Sequence, residues 1–228
     1  MRIKGLQKMT LLDFPSHVAC TVFLGGCNFR CPFCHNAGLV LRPLDAPDVP
    51  KEEFFSFLKK RQGVLDGVAV TGGEPTLDPD LAPFLRRIKE MGYAVKLDTN
   101  GSRPRVLAEL LADGLVDYVA MDVKSSPSRY AEAAGTDAWE SVCESLEVLR
   151  ESGVPYELRT TLTRELHDRE TLEEMGRAIA GAPVLYLQTY RDSGDTVGAP
   201  MTAYTPAETE ELADALGPYA RAVFLRGV

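Results

Sequence analysis

The sequence predicts an α/β fold, a partial barrel of six parallel strand–helix units, and three observations lead there. Short apolar runs alternate with amphipathic segments along most of the chain, the pattern of successive βα units around a parallel sheet. The chemically unusual residues fall at the C-terminal ends of those runs, where a parallel barrel gathers its loops at one mouth. The chain has 228 residues, 45% hydrophobic and 25% charged, enough for one sizeable core, so a single domain over 1–228 is expected.

Residues 1–15, in which Arg2, Lys4 and Lys8 interrupt any apolar stretch, predict a short N-terminal extension packed on the sheet and no secretory signal. The first strand is placed at 18–24, followed by strands at 67–71, 94–98, 116–122, 155–160 and 184–188. Amphipathic segments place helices at 51–61, 79–91, 104–112, 138–151, 170–180 and 206–216. Asp78-Pro79 supplies a cap and a first-turn proline for the second of these. Thr205-Pro206-Ala207-Glu208 reads as a capping box for the last. The segment 191–204, rich in Gly, Asp and Thr, is the longest loop, either a surface connection or a functional lid. A run at 222–225 predicts an additional C-terminal edge strand.

Composition removes several function classes. The formal net charge is -8 and no basic stripe appears, which opposes nucleic acid as the main partner. No apolar run reaches membrane-spanning length, so no membrane partner is expected. A cytoplasmic location is expected, where thiols stay reduced.

Cys27, Cys31 and Cys34 form a C-x3-C-x2-C cluster in Gly26-Cys27-Asn28-Phe29-Arg30-Cys31-Pro32-Phe33-Cys34-His35-Asn36. A four-iron cluster normally takes four thiolates, so three close ligands with no fourth nearby leave one iron open for chemistry. A structural zinc site wants two cysteine pairs or a well-spaced histidine, and His35 is adjacent to Cys34. Five cysteines would leave a disulfide framework with an odd thiol. Cys20, in the first strand, and Cys143, in a helical segment, read as small buried hydrophobes. His17 and His167 have no Ser or Cys with Asp at triad spacing, which opposes hydrolase chemistry.

The other notable residues also close strands. Thr71-Gly72-Gly73-Glu74-Pro75 ends the second, Asp98-Thr99-Asn100-Gly101 the third and Asp122-Val123-Lys124 the fourth; Arg159 lies late in the fifth and Gln188 ends the sixth. Gly-Gly and Asn-Gly are ordinary turn chemistry, and an Asp-Lys pair is often a surface ion pair of little energy. Together with the cysteines they predict one pocket. A glycine pair there lets the backbone approach a ligand closely.

The cysteine spacing resembles that of the radical S-adenosylmethionine (SAM) superfamily, and Cys31-Pro32-Phe33-Cys34-His35-Asn36 resembles its glycyl-radical-enzyme activating proteins. The segments Met9-Thr10-Leu11-Leu12-Asp13-Phe14-Pro15 and Cys20-Thr21-Val22-Phe23-Leu24-Gly25-Gly26-Cys27-Asn28 closely resemble activating proteins of anaerobic ribonucleoside-triphosphate reductase. The resemblance runs from Lys8 to about Gln188. It implies a partial (β/α)6 radical SAM barrel, a 4Fe-4S cluster on Cys27, Cys31 and Cys34, and SAM on the open iron.

Gly72, Gly73 and Glu74 match the family motif that holds the methionyl amino group. Asp98, Thr99, Asp122 and Lys124 match segments in which two aspartates flank a monovalent cation. A SAM pocket needs acceptors, a cation and hydroxyl-binding groups: Glu74 suits the ammonium, Lys124 or Arg159 the carboxylate, and Asn100 or Asp98 the ribose. Phe33 stands where the family has a residue near the adenine, or packs the loop. Gln188 completes the cofactor rim.

The implied chemistry is reductive cleavage of SAM to methionine and a 5'-deoxyadenosyl radical, which takes hydrogen from a backbone glycine of the partner reductase. A flavodoxin- or ferredoxin-type protein would supply the electron. No second set of four cysteines appears, so an auxiliary ferredoxin-like insert is absent. A pyruvate formate-lyase-type partner and a small-molecule substrate are the alternatives, because the substrate-facing surface carries no simple motif.

Overall fold

The structure, a computed structural model, describes the chain apart from residues 46, 193 and 228. One sheet organises it: β1 Ile3–Thr10, β2 Ala19–Leu24, β3 Gly67–Gly72, β4 Ala94–Thr99, β5 Tyr118–Asp122, β6 Tyr156–Leu162, β7 Leu185–Thr189 and β8 Val223–Arg226, hydrogen-bonded in that order. β1 pairs antiparallel with β2, and every later pairing is parallel. The helices are α1 Ala37–Leu41, α2 Lys51–Lys60, α3 Leu81–Glu90, α4 Pro104–Ala112, α5 Tyr130–Ala134, α6 Trp139–Ser152, α7 Arg169–Ala178 and α8 Pro206–Leu216.

The strands alternate, and the alternation divides core from site. Val22, Leu24, Val68, Val70, Val95, Leu97, Val119, Met121, Leu185 and Leu187 join helix residues such as Leu58, Leu85, Leu110 and Leu146 in one apolar core. Because side chains switch faces at each residue, the intervening Lys96, Asp98, Asp122, Glu157 and Arg159 point to the opposite face, inside the curl of the sheet. There they pair with one another or with neighbours of opposite sign. The polar face is therefore the inner wall of a partial α/β barrel. β1 and β8 are its two edges in the strand order.

The N-terminal segment departs from expectation. It enters the sheet as β1, with Gly5 opposite Phe23 and Thr10 opposite Ala19. Arg2, Lys4 and Lys8 disguised it, since edge strands carry charge that blunts further pairing. The run at 222–225 is an edge strand, β8, as expected. The strand placed at 155–160 continues to Leu162, which keeps Thr161 in register opposite Gln188. Regular helix begins at Leu81, not at 79. Asp78 still accepts from the Asp80 backbone N–H at 2.9 Å, and Leu81 N–H reaches Asp78 O at 3.0 Å, a tighter first turn. The capping box at Thr205 and Glu208 is fully formed.

Two five-residue helices, α1 and α5, were not legible as periodic segments because one turn carries no periodicity. Both flank the cysteine loop. Among the described residues no helix is long and apolar enough to cross a membrane.

Candidate active site

The loop after β2 and the loop after β3 are packed backbone against backbone. Gly73 N–H donates to Leu24 O at 2.9 Å, and Glu74 N–H to Gly26 O at 2.8 Å. A β-carbon on Gly72 would stand 2.2 Å from Leu24 O, and Gly72 has φ +125°, a conformation that glycine adopts without penalty. The glycine pair is thus explained first by this loop-to-loop contact. Arg30 N–H donates to Ala134 O of α5 at 2.8 Å, and Gly198 N–H to Pro32 O at 2.9 Å. Val197 N–H reaches Cys34 O at 3.3 Å. Part of the long 191–204 segment, whose residue 193 lies outside the described residues, is therefore bonded across the cysteine loop.

These loops close one wall of a cavity of about 260 Å³ at the C-terminal ends of the strands. Cys27, Cys31, Phe33 and Cys34 line it from the β2 side, and Gly72 and Gly73 from β3. Asp98, Thr99 and Asn100 from β4, Asp122 and Lys124 from β5, Arg159 and Thr161 from β6, and Gln188 from β7 complete it. All the site residues predicted from the sequence reach this cavity except Glu74. Thr161, Phe29 and His35 also line it and were missed; Thr161 was findable, since it is two residues beyond Arg159 and so shares its face.

Cys27, Cys31 and Cys34 all line this cavity, and three thiolates are the ligands that three irons of a four-iron cluster take. Burial pushes the Cys31 thiol up to about 12 and also raises Cys27, so metal ligation would have to displace protons from both. Lys124 opposes that rise at each. The donor set fits an iron–sulfur cluster.

Opposite the cysteines runs a chain of alternating charges. Lys96 donates to Asp98, Arg159 donates from one terminal nitrogen to Asp98 at 3.0 Å and from Nε to Asp122 at 2.8 Å, and Lys124 donates to Asp122 at 3.0 Å. Burial alone would raise both aspartates, but Arg159, helped by Lys96 at one and Lys124 at the other, holds them below the usual carboxylate range. Burial likewise opposes the charge on Lys124, yet Asp122 and Cys31 hold its pKa above normal. Of this network Lys124 and Arg159 line the cavity with Asp98 and Asp122, and Lys124, its ammonium bonded only to Asp122 among the described residues, is a cation suited to a ligand carboxylate.

Several of these residues also bond one another. The Arg159 guanidinium stands between Asp98 and Asp122, and Thr99 Oγ1 donates to Glu74 at 2.8 Å. Glu74, 2% exposed, turns away from the cavity and accepts from Thr76 N–H at 3.0 Å, Thr76 Oγ1 at 2.5 Å, Thr99 Oγ1 and Asn100 N–H at 2.6 Å. Its carboxylate ties the end of β3 to the end of β4. Asn100 is similarly occupied: its side-chain nitrogen donates to Asn28 Oδ1 at 3.0 Å and its oxygen accepts from Ser102 N–H at 2.9 Å. Phe33 is buried, edge-on to His167 with ring centroids 6.1 Å apart.

Comparison with known proteins shows the family. The family model described as the Radical SAM superfamily matches residues 21–180. A relative from Methanocaldococcus jannaschii, provisionally named a glycyl-radical enzyme activating enzyme, is 30% identical over 197 residues, 82% of this chain and 79% of its own. One from Thermococcus kodakarensis, provisionally named a GTP 3',8-cyclase, is 33% identical over 164 residues, 71% of this chain and 52% of its own. Among solved structures, Streptococcus suis SuiB bound to S-adenosylmethionine superposes with a TM-score of 0.66 at 18% identity, covering 91% of this chain and 52% of that one. A domain of pyruvate-formate lyase-activating enzyme from Bacteroides vulgatus superposes with a TM-score of 0.59 at 20% identity, covering 71% of this chain and 99% of that one. At these identities the structures share the fold; the chain spans about half the length of SuiB.

Proposed function

The chain belongs to the radical SAM superfamily, whose members use a 4Fe-4S cluster and SAM, and from that premise we propose that it is a single-domain activase that generates a glycyl radical on a partner anaerobic ribonucleotide reductase. The observation that carries the reading is the arrangement of Cys27, Cys31 and Cys34 on one wall of a cavity whose other wall is the Asp98–Arg159–Asp122–Lys124 network. The similarity to the Methanocaldococcus relative supports the activase class. The fold of the pyruvate-formate lyase-activating domain is compatible with it.

A 4Fe-4S cluster held by Cys27, Cys31 and Cys34 would supply the single electron that reductive cleavage of SAM needs, and with it the radical chemistry for taking a hydrogen atom from the partner's glycine. The chain's own residues bind and shield. Cys27, Cys31 and Cys34 hold the cluster as thiolates. Lys124 binds the methionyl carboxylate, oriented by Asp122, which Arg159 holds in turn. With Glu74 committed to the β3–β4 link, the backbone at Gly72 and Gly73 is the cavity surface left to receive the ammonium. Phe33 and Phe29 give the apolar lining that limits water around a reactive carbon. The edges at β1 and β8 leave the barrel open on one side for a polypeptide loop to enter. A flavodoxin- or ferredoxin-type donor and a cytoplasmic, reducing setting complete the reading.

The test is anaerobic incubation with SAM, reductant and a co-occurring reductase, read by electron paramagnetic resonance. A glycyl radical doublet that requires all the components is expected. A doublet only on a pyruvate formate-lyase-type partner would reassign the partner. The GTP 3',8-cyclase-like relatives support a second reading, a small-molecule substrate; turnover of a free nucleotide with no radical on any partner would establish that instead.

A further inference from the structure

A second cavity, of about 490 Å³, adjoins the first. His35 and Asn36, which directly follow the last cysteine of the loop, line both. Lys4 of the edge strand β1, Gly38 within α1, Arg42 at its end, Asp45 beyond it and Asp195 from the segment between β7 and α8 take part in its lining. The cavity is therefore a groove beside the mouth of the barrel, reaching from the β1 edge to the segment after β7. Its floor is preformed, because Gly26 N–H donates to Leu39 O at 2.9 Å and so ties α1 to the cysteine loop.

The groove offers what a peptide unit asks for, an acceptor for each N–H and a donor for each C=O. Asn36 Nδ2 donates to Gly72 O at 3.3 Å, and its side-chain oxygen has no partner among the described residues. His35 Nε2 faces Arg191 O, so it carries the proton and Nδ1 is left as an acceptor. Arg42 lies 4.0 Å from Asp45 and 3.8 Å from Asp195, with the three side chains 63% to 69% exposed. Such pairs are worth little, and the guanidinium can turn to a carbonyl at small cost. The charges of the lining cancel, Lys4 and Arg42 against Asp45 and Asp195. A polyphosphate would meet two carboxylates there with no excess of cations, whereas a neutral peptide meets no repulsion. Gly38 adds an independent sign. Its backbone is helical and a β-carbon on it would meet nothing within 4 Å, so neither conformation nor packing within the chain calls for glycine, which a helix disfavours. Its absent side chain keeps the groove clear.

We propose that this groove is the docking surface for the partner polypeptide, receiving the extended segment on one side of the target glycine and passing it over His35 and Asn36 into the cluster cavity. The inference rests on the activase reading above and assigns the surface that serves it. Asn36 Oδ1 and His35 Nδ1 accept from peptide N–H groups, and Arg42 donates to a peptide carbonyl.

The experiment fills the groove in the full chain with Gly38→Trp, a position that does not line the cluster cavity, and compares it with the unmodified chain after anaerobic reconstitution at matched iron content. Release of 5'-deoxyadenosine from SAM with a chemical reductant and no partner should continue at the unmodified rate. Glycyl radical formation on the co-occurring reductase should slow by roughly tenfold or more, because the indole clashes with the docked segment. Unslowed radical formation would overturn the groove and leave the activase reading standing. Absence of any radical with the unmodified chain would overturn the reading and the groove with it. Loss of free-nucleotide turnover, with activation of the reductase retained, would give the groove to a small molecule and overturn the proposal. Should Gly38→Trp lose iron or SAM cleavage, Arg42→Glu decides. That side chain is mostly exposed, and the change replaces a donor with a third carboxylate. It must raise the KM for the reductase, and an unchanged KM refutes the docking surface.

Discussion

Where Gly73 lies, a β-carbon would stand 1.9 Å from the carbonyl oxygen of Gly26. Neither atom can retreat, because Glu74 N–H is hydrogen-bonded to that same oxygen and the contact is what holds the cysteine loop against the end of β3. Gly73→Ala is therefore expected to cost about 3 kcal/mol or more and to loosen the cluster loop. Gly26 has φ +95° but open space around a β-carbon, so Gly26→Ala should cost only about 1 to 2 kcal/mol. Thermal unfolding of the two variants checks the order, and equal losses would show that the loop contact is not the constraint.

Cysteine substitution separates the expected ligands from the other two cysteines, buried Cys20 and half-buried Cys143. Alanine at 27, 31 or 34 is expected to abolish four-iron reconstitution. Cys143 lies on α6, away from the cavity, and Cys20 is fully buried in the sheet core. Alanine at either should leave the iron content unchanged per folded molecule. Iron assay after anaerobic reconstitution reads all five, and loss of the cluster on changing Cys143 would mean the ligand set is wrong.

The six strands from β2 to β7 were legible because each is a short apolar run closed by a chemical signature, as Ala94–Thr99 is by Asp98 and Thr99. β1 was not, because lysines on an edge strand look like an extension rather than a strand. The same division holds in the site. The cysteines and the Asp122–Lys124 segment announce themselves by spacing, whereas the turn of Glu74 away from the cavity depends on the nearby Thr76 hydroxyl and on Thr99 Oγ1 and Asn100 N–H, the last two brought to it only by the pairing of β3 with β4. Arg159 between two aspartates of other strands is likewise a product of parallel register, Asp122 opposite Arg159.

His167 supplies a pH prediction. It is fully buried, its Nε2 faces Lys124 O at 2.8 Å, and its Nδ1 accepts from Thr163 N–H at 3.1 Å. Burial lowers its pKa from 6.5 to about 4 against the pull of the two backbone partners. The unfolded chain therefore takes up a proton that the folded chain does not. Stability is complete above pH 6.5 and falls as the pH drops toward 4, by about 2 kcal/mol between pH 6.5 and pH 5. Denaturant unfolding across that window should show the slope in the unmodified protein and lack it in His167→Gln. A slope unchanged in the variant would place the titrating group elsewhere.

Binding of SAM should distinguish the cavity wall from its scaffold. Lys124 lines the cavity, and Asp122 keeps a second partner in Arg159 when Lys124 is removed. Lys124→Met is accordingly expected to leave the fold intact and to weaken SAM binding by roughly one to two decades, the worth of a charged hydrogen bond. Glu74→Gln acts differently, because its amide would turn a donor toward hydroxyl and N–H donors already aimed at the carboxylate. That variant should lose about 1 to 3 kcal/mol of stability, while its folded, cluster-loaded fraction binds SAM with nearly unchanged affinity. Anaerobic calorimetric titration of both variants, matched for iron content, makes the comparison. A large affinity loss in Glu74→Gln with unaltered stability would return Glu74 to the ligand, and an unweakened Lys124→Met would remove Lys124 from it.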